Sequence, residues 1–159
     1  MWYANGKLKS EIDYADGEIS GLRETYWENG IKKRIDKYDA GTWIEGSCFD
    51  SSGLAVTYYP FKESPSFPGG INKMYEYLAS NLRYPSGASR RGGKEKVYTS
   101  FLVNTDGTIS DIKIEGESAK DVNKEAIKVI MKMPKWIPAK EDGEVVNERY
   151  TLPITFVVH

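Results

Sequence analysis

The chain has 159 residues, with 22 Lys and Arg against 23 Asp and Glu, and its formal net charge of −1 excludes any global pull toward nucleic acid or anionic lipid. Its 40% hydrophobic and 28% charged residues suffice for a packed core and a soluble surface, in one ordinary domain or two small ones. The single cysteine, Cys48, excludes an internal disulfide, and its place between strand-like runs reads as a small buried hydrophobe rather than a nucleophile. No apolar run reaches the roughly 18 residues that a membrane helix needs, and Met1-Trp2-Tyr3 leads into a strand and turn pattern, not a signal peptide.

Repeats dominate the first third. The stretch from Tyr3 to Tyr14, with Asn5-Gly6-Lys7-Leu8-Lys9, is echoed by that from Tyr26 to Tyr38, with Asn29-Gly30-Ile31-Lys32-Lys33, the glycines being offset by 30 − 6 = 24 positions. A weaker copy, Phe49-Asp50-Ser51-Ser52-Gly53-Leu54, follows at 53 − 30 = 23. Each copy is an aromatic residue, a turn and an alternating strand, with further turns at Asp16-Gly17 and Ala40-Gly41. The expectation is an all-β hairpin-repeat meander over residues 1–62, each hairpin burying its aromatic face on the next. Residues 2–59 resemble the MORN-repeat variant of bacterial proteins, which implies scaffolding or an interaction surface. No site is assigned there.

Phe61 to Pro68 carries two prolines and no periodicity, and reads as a linker. Ile71, Met74, Tyr75, Leu78 and Leu82 then follow helical spacing and predict an amphipathic helix with those residues on its core face, ended by Tyr84-Pro85. The loop from Ser86 to Glu95 holds Arg90-Arg91-Gly92-Gly93-Lys94, without aromatics to stack on bases and without a following helix to make a phosphate cradle. From Lys96 to Val103 the alternation puts Val97, Thr99, Phe101 and Val103 on one strand face. Asp106-Gly107 marks a hairpin, and the return strand from Thr108 to Glu115 offers Ile112 and Ile114 to one face and Ile109 to the other. Ser118-x-x-Asp121 resembles a capping box and opens a helix lined by Val122, Ala126, Val129, Ile130 and Met133. Trp136 lies between Pro134 and Pro138 in an extended crossover, Glu141 to Glu144 is a turn, and Tyr150 to Phe156 is the final strand.

Catalysis has little to work with. His159, the only histidine, is the last residue; Asp106 with Asp111, and Glu115 with Glu117, stand at turns and strand ends where solvated carboxylates belong. No metal-ligand spacing, nucleophile elbow or nucleotide loop is present, so the expectation is a non-enzymatic protein with no cofactor and no metal.

An ordered set of motifs carries a second resemblance. Phe67-Pro68-Gly69-Gly70, Tyr84-Pro85 with Ala88, Lys96-Val97-Tyr98, Phe101-x-Val103-Asn104-x-Asp106-Gly107, Met133-Pro134-x-Trp136-x-Pro138-Ala139 and Tyr150-Thr151-Leu152-Pro153-Ile154-x-Phe156 together resemble the C-terminal domain of TonB-type energy transducers, with the Phe-Pro-Gly-Gly start similar to the Bacteroidetes branch. The resemblance covers residues 66–158. It implies an α+β domain over 66–159, with two helices on one face of a three-stranded antiparallel sheet. It implies binding of the TonB box, an extended peptide of outer-membrane TonB-dependent receptors, by β-strand addition to the last strand in energy-coupled transport. It also implies receptor contact just before the Tyr-Pro motif, at Asn81, Leu82, Arg83 and Tyr84. The peptide-pairing edge is expected over Val145, Val146, Asn147, Glu148, Arg149, Tyr150 and Thr151, upstream of Pro153, which has no N–H to donate.

Full transducers of that family carry an N-terminal membrane helix and a proline-rich spacer; here hairpin repeats stand upstream instead. The resemblance implies a periplasmic location if an export signal or membrane anchor precedes these residues, and otherwise leaves the compartment open. No nucleic acid and no direct membrane insertion are expected. The alternative is a structural or regulatory interaction protein that forms a homodimer through the C-terminal edge strand, its repeats binding another protein.

Overall fold

The computed structural model describes residues 1–89 and 92–157; Arg90 and Arg91 of the basic loop, Val158 and His159 lie outside the described residues. The chain divides into two compact units, Met1–Tyr59 and Pro60–His159.

In the first unit β1 (Ser10–Ala15), β2 (Glu18–Tyr26), β3 (Lys32–Asp39), β4 (Thr42–Phe49) and β5 (Ala55–Val56) form one antiparallel meander in chain order. The same turn recurs three times: Tyr3, Trp27 and Asp50 donate their N–H to the carbonyls of Lys7, Ile31 and Leu54 at 2.9, 2.8 and 2.9 Å. Asn5 Nδ2 donates to Glu28 O at 3.2 Å and Asn29 Nδ2 to Ser51 O at 2.8 Å, so each turn is tied to the next by the same side chain. Tyr3 OH and Trp27 Nε1 repeat the pattern on the carbonyls of Tyr26 and Phe49.

The expected aromatic core is not what fills this unit. Trp2, Tyr14 and Trp43 are exposed, whereas Arg34 and Asp36 are fully buried and paired at 2.6 Å. Asp36 Oδ1 also accepts from Trp43 Nε1 and Tyr58 OH, both at 3.0 Å, and Arg34 donates to the Tyr59 carbonyl. A one-layer sheet has no second layer of its own, so its rings lie across neighbouring strands rather than in an interior. Its buried charges persist because each is hydrogen-bonded.

The second unit contains β6 (Lys62–Glu63), α1 (Ile71–Asn81), α2 (Ser86–Ser89), β7 (Lys94–Val103), β8 (Ile109–Glu115), α3 (Lys120–Met131), β9 (Ala139–Glu141), β10 (Glu144–Val146) and β11 (Glu148–Val157). One antiparallel sheet runs β11-β7-β8 and a smaller one β10-β9-β6. The segment read as a linker is therefore ordered: Lys62 and Glu63 pair with Glu141 and Lys140, and Ser66 bridges Ile137. Prolines in it do not prevent this, because a two-residue edge strand needs few donors.

Val97, Thr99, Phe101 and Val103 are all buried, as their alternation requires. Thr99 tolerates the core because its hydroxyl donates to Leu152 O at 2.7 Å. The return strand departs from simple alternation. Register shifts between Ser100↔Lys113 and Leu102↔Ser110, and Asp111 takes φ +48°, so β8 has a bulge of one extra residue. That residue resets the parity, and Ile109 joins Ile112 and Ile114 against the core.

Helix α3 buries Val122, Ala126, Val129 and Ile130, with Met133 packed against the core, as its spacing requires, whereas α1 packs by a narrower stripe than its sequence suggests. On α1, Met74 and Leu78 are buried but Ile71 and Tyr75 are more than half exposed, contrary to the predicted core face. The capping box at Ser118 does not form: the N-cap is Ala119, and Ser118 bonds Asn123 instead. Asp121 lies in the first turn, where it accepts from the N–H of Val122 at 2.9 Å. Trp136, only 3% exposed, meets Tyr150, Phe101 and Phe67 at ring distances of 4.8, 5.2 and 5.8 Å.

Candidate functional site

β11 is the element on which a site can be built. Its ten residues pair with β7, from Glu148↔Val103 to Val157↔Lys94, and the sheet ends there. Its other edge therefore presents unpaired N–H and C=O groups to whatever approaches. Leu152, Ile154 and Phe156 are buried, while Thr151, Pro153, Thr155 and Val157 are solvent-facing, so the strand is anchored by one face and free on one side.

A groove of about 710 Å³ runs beside the second half of this strand. Tyr75, Leu78 and Ala79 of α1 form one wall, Leu82 and Tyr84 the end, and Pro153 to Val157 the other wall. Tyr84 is held in place by an edge-on contact with Phe156, centroids 6.2 Å apart, and by its hydroxyl donating to Ala88 O at 3.3 Å. The lining is mostly apolar, with backbone polar groups along one side, which suits an extended chain bearing an apolar side chain.

The residues expected to bind a partner separate into several places. Leu82 and Tyr84 line the groove. Asn81 and Arg83 line a different notch with Glu125 and Lys128; Asn81 Nδ2 donates to Tyr77 O at 2.8 Å, and the Arg83 N–H to Glu125 Oε1 at 3.0 Å. Val145 and Val146 do not continue the open edge. They belong to β10 and pair with Lys140 and Ala139, because Asp142 at φ +51° and Gly143 turn the chain back into a separate hairpin. Asn147 is tied through Oδ1 to the Thr105 N–H at 2.9 Å.

Glu148 to Thr151 do lie on the edge strand, but two of their side chains are committed elsewhere. Arg149 donates to Ser100 Oγ at 3.0 Å and Asp111 O at 3.1 Å, and pairs with the Asp111 carboxylate. Tyr150 packs on Trp136, and burial first, then the neighbouring Tyr75 phenol, raises its phenol above the ordinary value. Sequence reasoning missed Tyr75, Ala79 and Pro153 to Val157 as groove residues. The signals at hand were Pro153, which marks an edge strand, and an apolar arc on α1 wider than Met74 and Leu78 require. Among the described residues no cluster of His, Cys, Asp and Glu is arranged to hold a metal, and no helix is long and apolar enough to cross a membrane.

Residues 80–158 match the family model for the Gram-negative bacterial TonB protein C-terminal. A curated relative, protein TonB of Helicobacter pylori (strain ATCC 700392 / 26695), is 32% identical over 73 residues, 45% of this chain and 26% of the relative. The chain thus spans about a quarter of that relative's length. Two solution NMR structures of the Helicobacter pylori TonB C-terminal domain are similar at 27% and 28% identity, covering 54% and 58% of this chain and 89% and 87% of theirs, each with a TM-score of 0.42. The second unit is a mixed α+β fold with antiparallel sheets, and its residues 80–158 are similar in sequence to the TonB C-terminal domain. The match takes in β11 and the end of α1, but starts after Tyr75 and Ala79.

Proposed function

We propose that the TonB-like unit is a non-enzymatic docking module that captures the TonB-box peptide of an outer-membrane receptor by adding it as a further strand to β11. The observation that carries this is the open edge of β11 beside an apolar groove. Backbone groups of the edge would supply affinity, and an apolar side chain of the peptide would enter between Tyr75, Leu82 and Tyr84. Pro153 leaves one gap in the new ladder, since it has no N–H. The pairing segment in this reading is Glu148 to Val157, the strand that borders the groove; of the Val145 to Thr151 stretch expected from sequence, Val145 and Val146 lie instead on β10, the edge of the smaller sheet. In this reading the protein works in the periplasm, and the repeated turns of the first unit are a MORN-like scaffold for a further contact.

Titrating the full chain with a synthetic TonB-box peptide tests it. Amide NMR shifts should move along β11 and around Tyr75, Leu82 and Tyr84; an unmoved spectrum of the folded protein would reject the reading. The same edge favours a second one, pairing of β11 with β11 of another copy. Sedimentation separates them: a dimer indifferent to saturating peptide supports self-pairing, and a dimer dissolved by peptide supports capture.

A further inference from the structure

The outer face of α3 takes no part in either the edge strand or the groove. Lys120, Lys124, Lys128 and Lys132 recur every four residues and are all exposed. Ile127 and Met131 run alongside them, and Met131 is 71% exposed. Lys124, Lys128 and Lys132 surround one shallow hollow with these two apolar residues. On the other flank Arg83 joins Lys128 and Lys132 around a notch that also holds Glu125, Ser80 and Asn81. None of the five cations forms an ion pair among the described residues.

Like charges stacked at i, i+4 oppose helix formation, and in a chain of net charge −1 this is a local concentration, not an overall bias. What sets the face apart is that its cations flank an apolar ridge. A helix lying on a bilayer presents that combination: ammonium groups reach the headgroup phosphates on flexible stems while the ridge sinks between them. A nucleic acid would use the lysines, but this face has no aromatic for bases to stack on. An acidic protein surface would leave Ile127 and Met131 against charge. We infer that α3 docks the protein, reversibly and by this face, on an anionic phospholipid surface, with Arg83, Lys128 and Lys132 receiving a headgroup phosphate and Met131 entering the acyl boundary. This does not depend on peptide capture at β11.

The test is co-sedimentation of the full chain with vesicles of phosphatidylcholine, alone or mixed with phosphatidylglycerol. Binding is expected only to the mixed vesicles, weakening as salt rises. Each lysine near such a surface is worth roughly fivefold in affinity, so K124Q/K128Q/K132Q should lose on the order of a hundredfold. Met131→Ser should lose affinity while keeping the salt dependence. Circular dichroism checks the fold of the triple variant; if it is unfolded, Lys128→Gln and Met131→Ser carry the test. Equal binding to both vesicle types, or lysine variants that bind as the parent does, overturns the inference. Binding to soluble heparin as strong as to vesicles, together with an unaffected Met131→Ser, also overturns it and assigns the face to an acidic macromolecule. Peptide titration of the same variants should be unchanged, which keeps the two proposals separable.

Discussion

Gly107 stands at the tip of the β7–β8 hairpin with φ +83°, and a Cβ there would lie 2.3 Å from the carbonyl oxygen of Trp136. The Trp136 N–H donates back to Gly107 O at 2.9 Å, so the hairpin tip is seated directly on the crossover strand. The sequence announces the turn through Asp106-Gly107, but not the close approach, because its partner is remote in the chain. Gly107→Ala should cost about 2–3 kcal/mol, combining left-handed strain with a displaced hydrogen bond. Gly116→Ala is the control, with φ +80° and nothing within 4 Å of the new Cβ; it should cost about 1 kcal/mol. Urea unfolding compares them, and equal costs would remove packing from the explanation. Asp106 beside Gly107 is held below the ordinary carboxylate value, first by the Thr108 hydroxyl and then by the Thr108 N–H. A lowered folded value means stabilisation that is present above the ordinary carboxylate range and lost as pH falls through the lowered one. Asp106→Asn should therefore be less sensitive to acid than the parent, which unfolding midpoints across that range would register.

Between residues and fold, the bulge in β8 decides which side chains reach the core. Strict alternation puts Ile109 opposite Ile112 and Ile114; the extra residue at Asp111 brings all three to one face. Nothing local in Ser110-Asp111-Ile112 distinguishes a bulged from a regular strand, which is why the sequence misplaced Ile109. The device that holds it comes from another strand: Arg149 of β11 reaches across Ser100 to the carbonyl and carboxylate of Asp111. By contrast the core face of β7 was legible, because Val97, Thr99, Phe101 and Val103 alternate into the core; the burial of Ser100 on the other face was not, because it depends on Glu115 and Arg149 of the neighbouring strands. If the bulge is a single surplus residue, deleting Asp111 leaves Ile109, Ile112 and Ile114 in ordinary alternation. Forcing a β-branched side chain into its positive φ does not. Asp111→Val should therefore cost about 2 kcal/mol or more, and deletion of Asp111 less. A deletion more damaging than the valine, by urea midpoint, would mean that the register depends on Asp111 itself.

At the scale of the molecule, the two units are held together by different physics. In the second, Phe101, Ile130, Trp136 and Ile154 belong to one contiguous hydrophobic cluster, and apolar periodicity exposes such a cluster to a reader of sequence. In the first, among the described residues, the largest fully buried side chain is Arg34, and Asp36 beside it has no exposure at all. Repeats revealed the meander, yet no pattern of apolar residues could reveal a core built from an ion pair; Arg34 and Asp36 look like surface charges on a strand. The candidate edge was half legible for a similar reason. Pro153 pointed to an edge strand, while the α1 wall of the groove depended on packing. If the first unit rests on the ion pair, taking the charge from one partner leaves the other buried without compensation, at a cost of roughly 3–5 kcal/mol. Asp36→Asn should then abolish hydrogen-exchange protection across β2 to β4, while β7, with Phe101 in the hydrophobic cluster, stays protected. Replacing both charges, as in R34M/D36L, should recover part of the loss, because two apolar groups no longer carry the desolvation penalty. Full protection of β2 to β4 in Asp36→Asn would show that the strand ladder, and not the pair, holds the first unit.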